Sequence, residues 1–356
     1  MNSPVNRSLI SPTSNPLLER SLLDKLHKRS ETAGSLGELE PLAIRLGLMQ
    51  NTLKPRFNDP QLIIFASDHG LAVDGIAPPY RRQTHEQVQL LLKGRLPVSV
   101  FARMHQLELT VVDAGLAEDL PAHDRLLVRK IAHGTRNARV SGAMTVDQAH
   151  AAIRAGMEIG DTLPGNLLAC AGIGVGAHES AALLLSRLTD TSVRDLLVSG
   201  PQMNADTLAH LMIIAQGAQG RHRDIVDPVE VLAAFGGFEI AMMVGVMLVA
   251  ASKRHLLMVD GLPAYAALML ASRIAIPVTD YCVFCRSHSH QGLDRALGLF
   301  RASALLELGM DATDGTGATL AWPLVRSAAA LLTDVAEGED PGPSQPVPMQ
   351  TDGTSA

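Results

Sequence analysis

The chain has 356 residues, of which 47% are hydrophobic and only 3% aromatic, and its formal net charge is −6. This length suits one large domain or two closely packed ones with a sizeable core. The acidic balance and the lack of a Lys/Arg block argue against nucleic acid as the main partner, as does the shortage of aromatic side chains for stacking on bases.

The N-terminal segment, residues 1–16, is rich in Ser, Asn and Pro, and we predict that it is disordered. It does not have the basic and then apolar pattern of a signal peptide. The longest apolar run, Ile240–Ala251, is too short to span a bilayer, so we expect a buried helix there and no membrane partner. Three cysteines give no disulfide framework, which favours the reducing cytoplasm.

Five short apolar runs end in small or acidic residues and are predicted to be strands. Continuous apolar runs are typical of strands that are covered on both faces. The intervening segments are rich in Ala and Leu and are predicted to be helices, so we expect an α/β fold with a parallel sheet and helices on both faces. The predicted strands are Leu62–Ala66, Leu109–Val112, Leu167–Cys170, Leu196–Val198 and Leu256–Val259, and examples of the helices are Val146–Gly160 and Ala264–Arg273.

The two ends of the chain lie outside this series of strands. We predict that residues 17–50 and 318–336 are helical and pack together as a small lobe beside an α/β domain of residues 51–317. The segment 337–356 contains many prolines and few apolar residues, which predicts a disordered tail.

Polar and small residues follow the predicted strands. In parallel sheets the ligand binds beyond the carboxyl ends of the strands, and Asp68, Asp113, Gly172 and Asp260 fall at these ends. This is the first physical indication of an enzyme. For Asp68 and the adjacent His69 a structural role is the favoured interpretation, and a role in holding substrate or a cation is the alternative.

Two glycine-containing turns could bind a ligand. Gly172, Gly174 and Gly176 precede a helix beginning near Ser180, and their backbone amides could bind a phosphate, although a tight structural turn also fits. The stretch 314–318 places the Asp314 carboxylate before a turn of small residues and an apolar helix. An acid there is a candidate general base, while an ordinary turn followed by a helix cap has the same pattern.

Four potential metal ligands lie within nine residues, namely Cys282, Cys285, His288 and His290. Two thiolates and two imidazoles could bind zinc. A loop with buried cysteines and exposed histidines has the same sequence pattern and is the favoured interpretation. We therefore expect neither a metal nor a cofactor.

Taken together, these segments resemble the nicotinate-nucleotide–dimethylbenzimidazole phosphoribosyltransferase family. Motifs in the same order and at the same spacing extend over about residues 20 to 335. They comprise residues 34–37 (GSLG), 68–70 (DHG), Gly75, Thr84, Gln87, 134–137 (GTRN), 142–145 (GAMT), 227–232 (DPVEVL), 236–241 (GGFEIA), 260–261 (DG) and 314–318 (DGTGA).

The resemblance implies a Rossmann-like parallel-sheet domain, a small lobe built from both chain ends, and a homodimer. It also implies transfer of phosphoribosyl from nicotinate mononucleotide to 5,6-dimethylbenzimidazole or a related base, in the synthesis of the lower ligand of cobalamin. The family's glutamate base corresponds to Asp314 here. The residues expected to bind substrate are Asp68, Gln87, Gly172, Gly174, Gly176, Asp260, Arg286, Gly315, Thr316 and Gly317.

The chain departs from the family pattern near the expected phosphate. Gly172 stands where a glutamate is usual, Glu179 lies in a segment that usually reads Asn-Thr-Thr, and a family lysine falls around His210 or Leu211. The loss of the lysine and the gain of Glu179 make the phosphate region less positive, and Arg286 is expected to supply the missing charge, with protonated His288 and His290 as the alternative. The alternative function is a relative that binds a nucleotide or an azole without catalysis, as a partner subunit or regulator.

Overall fold

In a computed structural model, the described residues are 9–28, 35–77, 82–198, 203–287, 291–310 and 312–335. They form one parallel sheet in the order β3-β2-β1-β4-β5-β6-β7. The winding direction reverses between β1 and β4, and in sheets of this kind the ligand-binding crevice lies at the carboxyl ends of the strands at such a reversal. The strands are β1 Gln61–Ser67, β2 Glu108–Gly115, β3 Leu126–Val128, β4 Leu167–Ile173, β5 Leu256–Val259, β6 Cys282–Ser287 and β7 Ala304–Glu307.

Helices cover the sheet, and the predicted α/β class with a parallel sheet is confirmed. Those in the described part of the chain are α1 Pro16–His27, α2 Leu39–Gln50, α3 Thr84–Leu92, α4 Pro97–Met104, α5 Val146–Thr162, α6 Ala177–Thr189, α7 Val193–Leu197, α8 Ala205–Arg221, α9 Pro228–Phe235, α10 Phe238–Ser252, α11 Leu262–Ile274, α12 Gln291–Leu299 and α13 Thr316–Thr333.

Four of the five predicted strands are confirmed as β1, β2, β4 and β5, and all residues of β1 and β4 are buried. The strand predicted at Leu196–Val198 is wrong, because this run belongs mostly to α7. Val193, Leu196 and Leu197 are buried there at helical spacing. The three-residue apolar run was too short to reveal that period.

Helices from the two ends of the chain pack together, since α1 and α2 contact α13. The prediction of disorder is wrong for residues 9–16. Ile10 is buried, the backbone amide of Thr13 donates to Asp280 Oδ2 at 3.0 Å, and Tyr281 donates its hydroxyl hydrogen to the Ser11 carbonyl at 2.7 Å. Residues 1–8 and 336–356 lie outside the described part of the chain.

The most apolar helix, α10, crosses α5 with almost no space between the two backbones. A Cβ at Gly156 would lie 2.0 Å from the Met242 carbonyl oxygen, and one at Gly245 would lie 2.0 Å from that of Ile153. Glycine is therefore required at both positions for this close approach. No helix in the described residues is long and apolar enough to cross a membrane.

The α5–α10 crossing yields a stability prediction. Gly156→Ala should lower the free energy of unfolding by about 1–3 kcal/mol, because the added methyl group overpacks a rigid backbone contact. Gly220→Ala in α8 is the matched control. Nothing lies within 4 Å of a Cβ at that position, so alanine should stabilise the helix by up to about 1 kcal/mol. Urea unfolding of both variants measures the difference, and equal effects would contradict the packing argument.

Candidate active site

Asp68 follows β1 and holds three loops together. Its Oδ1 accepts a hydrogen bond from the Thr84 hydroxyl at 2.5 Å, and its Oδ2 accepts one from the Ala117 amide at 2.8 Å. The Thr84 oxygen in turn accepts a hydrogen bond, at 3.1 Å, from the amide of Val175. Val175 belongs to residues 172–176, which we call the glycine loop. Both Asp68 oxygens thus have protein donors, and the structure brings Asp68 and the glycine loop together through Thr84.

The next residue, His69, forms a buried pair with Glu239 at the start of α10. Nε2 of His69 and Oε1 of Glu239 are 3.1 Å apart, and both side chains are almost completely buried. Burial alone would lower the pKa of His69, but the neighbouring carboxylates of Glu239, Asp68 and Glu179, with Glu239 the strongest, together raise that pKa above its ordinary value. The sequence pattern did not indicate that His69 and Glu239 would pair.

Glycines of the glycine loop, and Gly237 before α10, pack directly against this His69–Glu239 pair. A Cβ at Gly176 would lie 2.8 Å from His69 Cβ, and one at Gly237 would lie 2.1 Å from Glu239 Oε2. A Cβ at Gly174 would meet the Ser67 carbonyl oxygen at 2.0 Å. The glycines are required by packing around the buried pair, whatever ligand the loop binds.

Asp314 lies half-buried in the turn before α13. Its Oδ1 accepts hydrogen bonds from the Thr316 amide at 3.1 Å and from the Thr316 hydroxyl at 2.6 Å. Gly315 has φ +90°, and a Cβ there would lie 3.0 Å from Leu62 and 3.3 Å from Ala171. The turn therefore lies against the two central strands, β1 and β4.

The pKa of Asp314 is raised above the ordinary value of an aspartate. Burial is the main cause of the raised pKa, and the negative charge of Asp260 adds to it. The two Thr316 hydrogen bonds act in the opposite direction, because they stabilise the carboxylate and lower the pKa. A partly dehydrated carboxylate with a raised pKa is suited to accept a proton.

Asp260 directly follows β5, and Arg286 lies near the carboxyl end of the adjacent strand β6; the two side chains pair with each other. Arg286 Nε donates to Asp260 Oδ1 at 2.7 Å, and the side chains are 3% and 0% exposed. The substrate-binding roles predicted for both residues stay predictions. In this structure both side chains are buried and paired with each other. The strand order places β5 beside β6, so their pairing required tertiary information that the sequence pattern did not contain.

Gln87 lies on α3, one turn after Thr84, and is half-buried. Its Nε2 donates to the Arg82 carbonyl at 2.9 Å. Residues 78–81, which precede this helix, lie outside the described residues.

Strand β4 connects the two parts of the candidate site. Its residue Ala171 borders Gly315, next to Asp314, and its residue Gly172 borders Glu239, the partner of His69.

The three cysteines, Cys170, Cys282 and Cys285, are free and buried. Burial raises the pKa of each thiol, which disfavours the thiolate form that binds zinc. In the described residues no group of three or more His, Cys, Asp or Glu side chains could hold a metal ion. His288 and His290 lie outside that part of the chain.

A cleft of about 870 Å³ lies at the opposite end of the sheet, at the amino ends of β1 and β2. Its lining includes Asp59, Arg103, Glu108 and Arg125. None of the predicted site residues borders it. Because ligands of such sheets bind at the carboxyl ends, we place the candidate active site there.

Comparisons with known proteins identify the family of the chain. A family model described as "Phosphoribosyltransferase" matches residues 12–342. A nicotinate-nucleotide–dimethylbenzimidazole phosphoribosyltransferase from Cupriavidus taiwanensis is 40% identical over 336 residues, which cover 94% of this chain and 96% of the relative. One of the same name from Janthinobacterium sp. (strain Marseille) is 35% identical over 339 residues, covering 94% and 98%.

A solved structure has the same fold. The crystal structure of the enzyme of that name from Thermus thermophilus matches with a TM-score of 0.83 and 29% identity, covering 90% of this chain and 96% of that chain. The match extends over nearly the whole chain rather than over a local motif. The chain therefore belongs to the phosphoribosyltransferase family that includes these nicotinate-nucleotide–dimethylbenzimidazole enzymes.

Proposed function

We propose that the chain transfers phosphoribosyl from nicotinate mononucleotide to 5,6-dimethylbenzimidazole or a related base, in the synthesis of the lower ligand of cobalamin. The products are an α-ribazole phosphate and nicotinate. Support comes from relatives of that name along nearly the full length of the chain. The observation that carries the proposal is the half-buried Asp314 carboxylate, fixed by Thr316 at one oxygen, at the position of the family's base.

The chemistry requires one base and no acid. The unprotonated azole nitrogen forms a bond to the anomeric carbon as the bond from that carbon to the pyridinium nitrogen breaks. Nicotinate takes the bonding electron pair and leaves without protonation. The other azole nitrogen then loses its proton to Asp314, whose raised pKa increases its proton affinity. Since Thr316 occupies Oδ1, we assign proton transfer to Oδ2.

For the phosphate we favour the backbone amides of Gly174 and Gly176, at the start of α6, over Arg286. A helix N-terminus attracts anions through its free amides. Arg286 is buried against Asp260, so a phosphate contact would require that pair to open. Asp68, Gly172 and Gln87 are proposed to shape the substrate pocket around this loop.

We also propose a homodimer in the cytoplasm. The resemblance to the family supports the dimer, and the three unpaired cysteines favour a reducing compartment. Sedimentation equilibrium of the purified chain should give twice the mass of 37.8 kDa. A mass that stays at one chain at micromolar concentration would contradict the dimer.

The catalytic role of Asp314 has a direct test. Asp314→Asn keeps the shape and one hydrogen-bond acceptor but removes the base, so kcat should fall by about 10²–10⁴-fold. Release of nicotinate from nicotinate mononucleotide and dimethylbenzimidazole is followed by chromatography. Asp314→Glu is the matched control and should keep measurable turnover, because it retains a carboxylate.

The same assay separates the transferase from the alternative. If the unmodified chain binds both substrates by calorimetry and forms no product, it is a binding protein, and the transferase proposal fails. If Asp314→Asn turns over as fast as the unmodified chain, another group is the base.

The pH dependence of kcat/KM should report the ionisation of Asp314. The base works when deprotonated, so kcat/KM should rise with pH through the pKa of Asp314. This rising part of the pH profile, the acid limb, should lie above the pH range of an ordinary aspartate. Thr316→Val removes a hydrogen bond that lowers this pKa, so the limb should move to higher pH. Thr316→Ser keeps the hydroxyl and should leave the limb in place. A limb that is insensitive to Thr316→Val would argue against Asp314 as the titrating group.

A further inference from the structure

The guanidinium group of Arg286 connects β6 to the segment that precedes Asp314. Besides the bond from Nε to Asp260, Nη1 donates to the Met310 carbonyl and Nη2 donates to the Ala312 carbonyl. All three of these acceptors are reached by one planar group, which fixes its orientation. The chain entering the Asp314 turn is thereby fastened to the end of β6.

Asp260 holds the other side of the same turn. Its Oδ2 accepts a hydrogen bond from the Ala318 amide in the first turn of α13 at 3.3 Å. Gly317 lies against both partners, since a Cβ there would be 2.6 Å from Arg286 Cδ and 2.7 Å from Asp260 Oδ1. The chain leaving the turn is thus fastened to the end of β5.

The pair is fully enclosed, and its geometry matters more than its charge for stability. A buried ion pair rarely adds to stability, because dehydration of both charges offsets their attraction. The backbone contacts that the pair makes explain its presence here better than a gain in stability does. The pair contacts the backbone at residues 310, 312 and 318, on both sides of Asp314.

We propose that Asp260 and Arg286 are positioning residues, which together hold the turn of the base Asp314 in its reactive orientation. This inference rests on the proposed role of Asp314 as base. It replaces the phosphate contact expected for Arg286 with a contact to the protein's own backbone. Neither residue touches substrate in this role, and the effect of each reaches the reaction through Asp314.

The two partners act on Asp314 with opposite electrostatic signs. The negative charge of Asp260 raises the pKa of Asp314. Arg286, whose Nε lies 2.7 Å from Asp260 Oδ1, carries the opposite charge and therefore acts against that effect. Hydrogen bonds from Thr316 and from the backbone amide of Asp314 itself act on the same carboxylate and lower its pKa.

Three single variants of the full chain test the inference. Arg286→Lys keeps the positive charge but cannot reproduce the three-way planar contact. It should lower kcat by about tenfold to a hundredfold through misplacement of the base, with the acid limb and the KM for nicotinate mononucleotide little changed. Arg286→Gln leaves Asp260 unneutralised and should move the acid limb of kcat/KM to higher pH. Asp260→Asn removes the negative charge and should move it to lower pH.

The opposite directions are the decisive readout, because loosened structure alone would not move the limb in two directions. The inference is overturned if the acid limbs of Arg286→Gln and Asp260→Asn move in the same direction. It is overturned as well if both acid limbs stay fixed and kcat is unchanged. It is also overturned if Arg286→Lys raises the KM for nicotinate mononucleotide at constant kcat, since that result indicates a phosphate contact. Should Arg286→Gln not fold, Arg286→Lys and Asp260→Asn still decide between these outcomes.

Arg254 offers a matched control. Its guanidinium group also donates to two backbone carbonyls, those of Met49 and Leu48, but it lies at the amino end of β5, away from the candidate site. Arg254→Lys should lower the melting temperature without moving the acid limb. Asp314→Asn distinguishes a failure of the proposed base from a failure of the positioning role. If that variant keeps full activity, the proposed base is wrong, and if it is inactive while Arg286→Lys is fully active, the positioning role is wrong.

Discussion

The pairing of β1 with β4 at the centre of the sheet is the contact on which the candidate site depends. It reverses the winding of the chain, and sheets of this kind bind ligands at the carboxyl ends of the strands at such a reversal. Phe65 of β1 lies opposite Gly172 of β4 in the register. The small residues Ala171 and Gly172 let α10 approach one part of β4 and the Asp314 turn approach another. A larger residue at either position would separate the elements that carry the polar groups.

Two buried polar pairs lie on either side of this centre, and both are enclosed by glycines. Gly237 closes over the pair of His69 and Glu239, while Gly317 closes over that of Asp260 and Arg286. Each charge would be costly to bury alone, so the members of a pair must stay together. The absence of a Cβ lets backbone lie directly on a polar group. Glycines at these strand ends therefore indicate buried side chains as well as ligands.

The sequence predicted the central strands and the long helices because their burial is recorded in uninterrupted or periodic apolar runs. It failed at Leu196–Val198, where three apolar residues fit either period, and at Ile10, where one buried side chain anchors a polar segment. The motif positions of Asp68 and Asp314 were predictable, but the partners of Arg286 were not. Its contacts depend on strand order and on a backbone segment more than twenty residues away.

An aspartate at the position of the proposed base is consistent with the local geometry of the turn. The Asp314 carboxylate accepts from the Thr316 amide two residues later, a contact that a short side chain makes with its own turn. That bond and the Thr316 hydroxyl fix one oxygen from within the turn, while Arg286 and Asp260 fix the backbone on both sides of it. A longer glutamate would need its extra rotatable bond restrained by other contacts. The shorter acid reaches less far, but its orientation is set by the fold itself, which is the property that a general base requires.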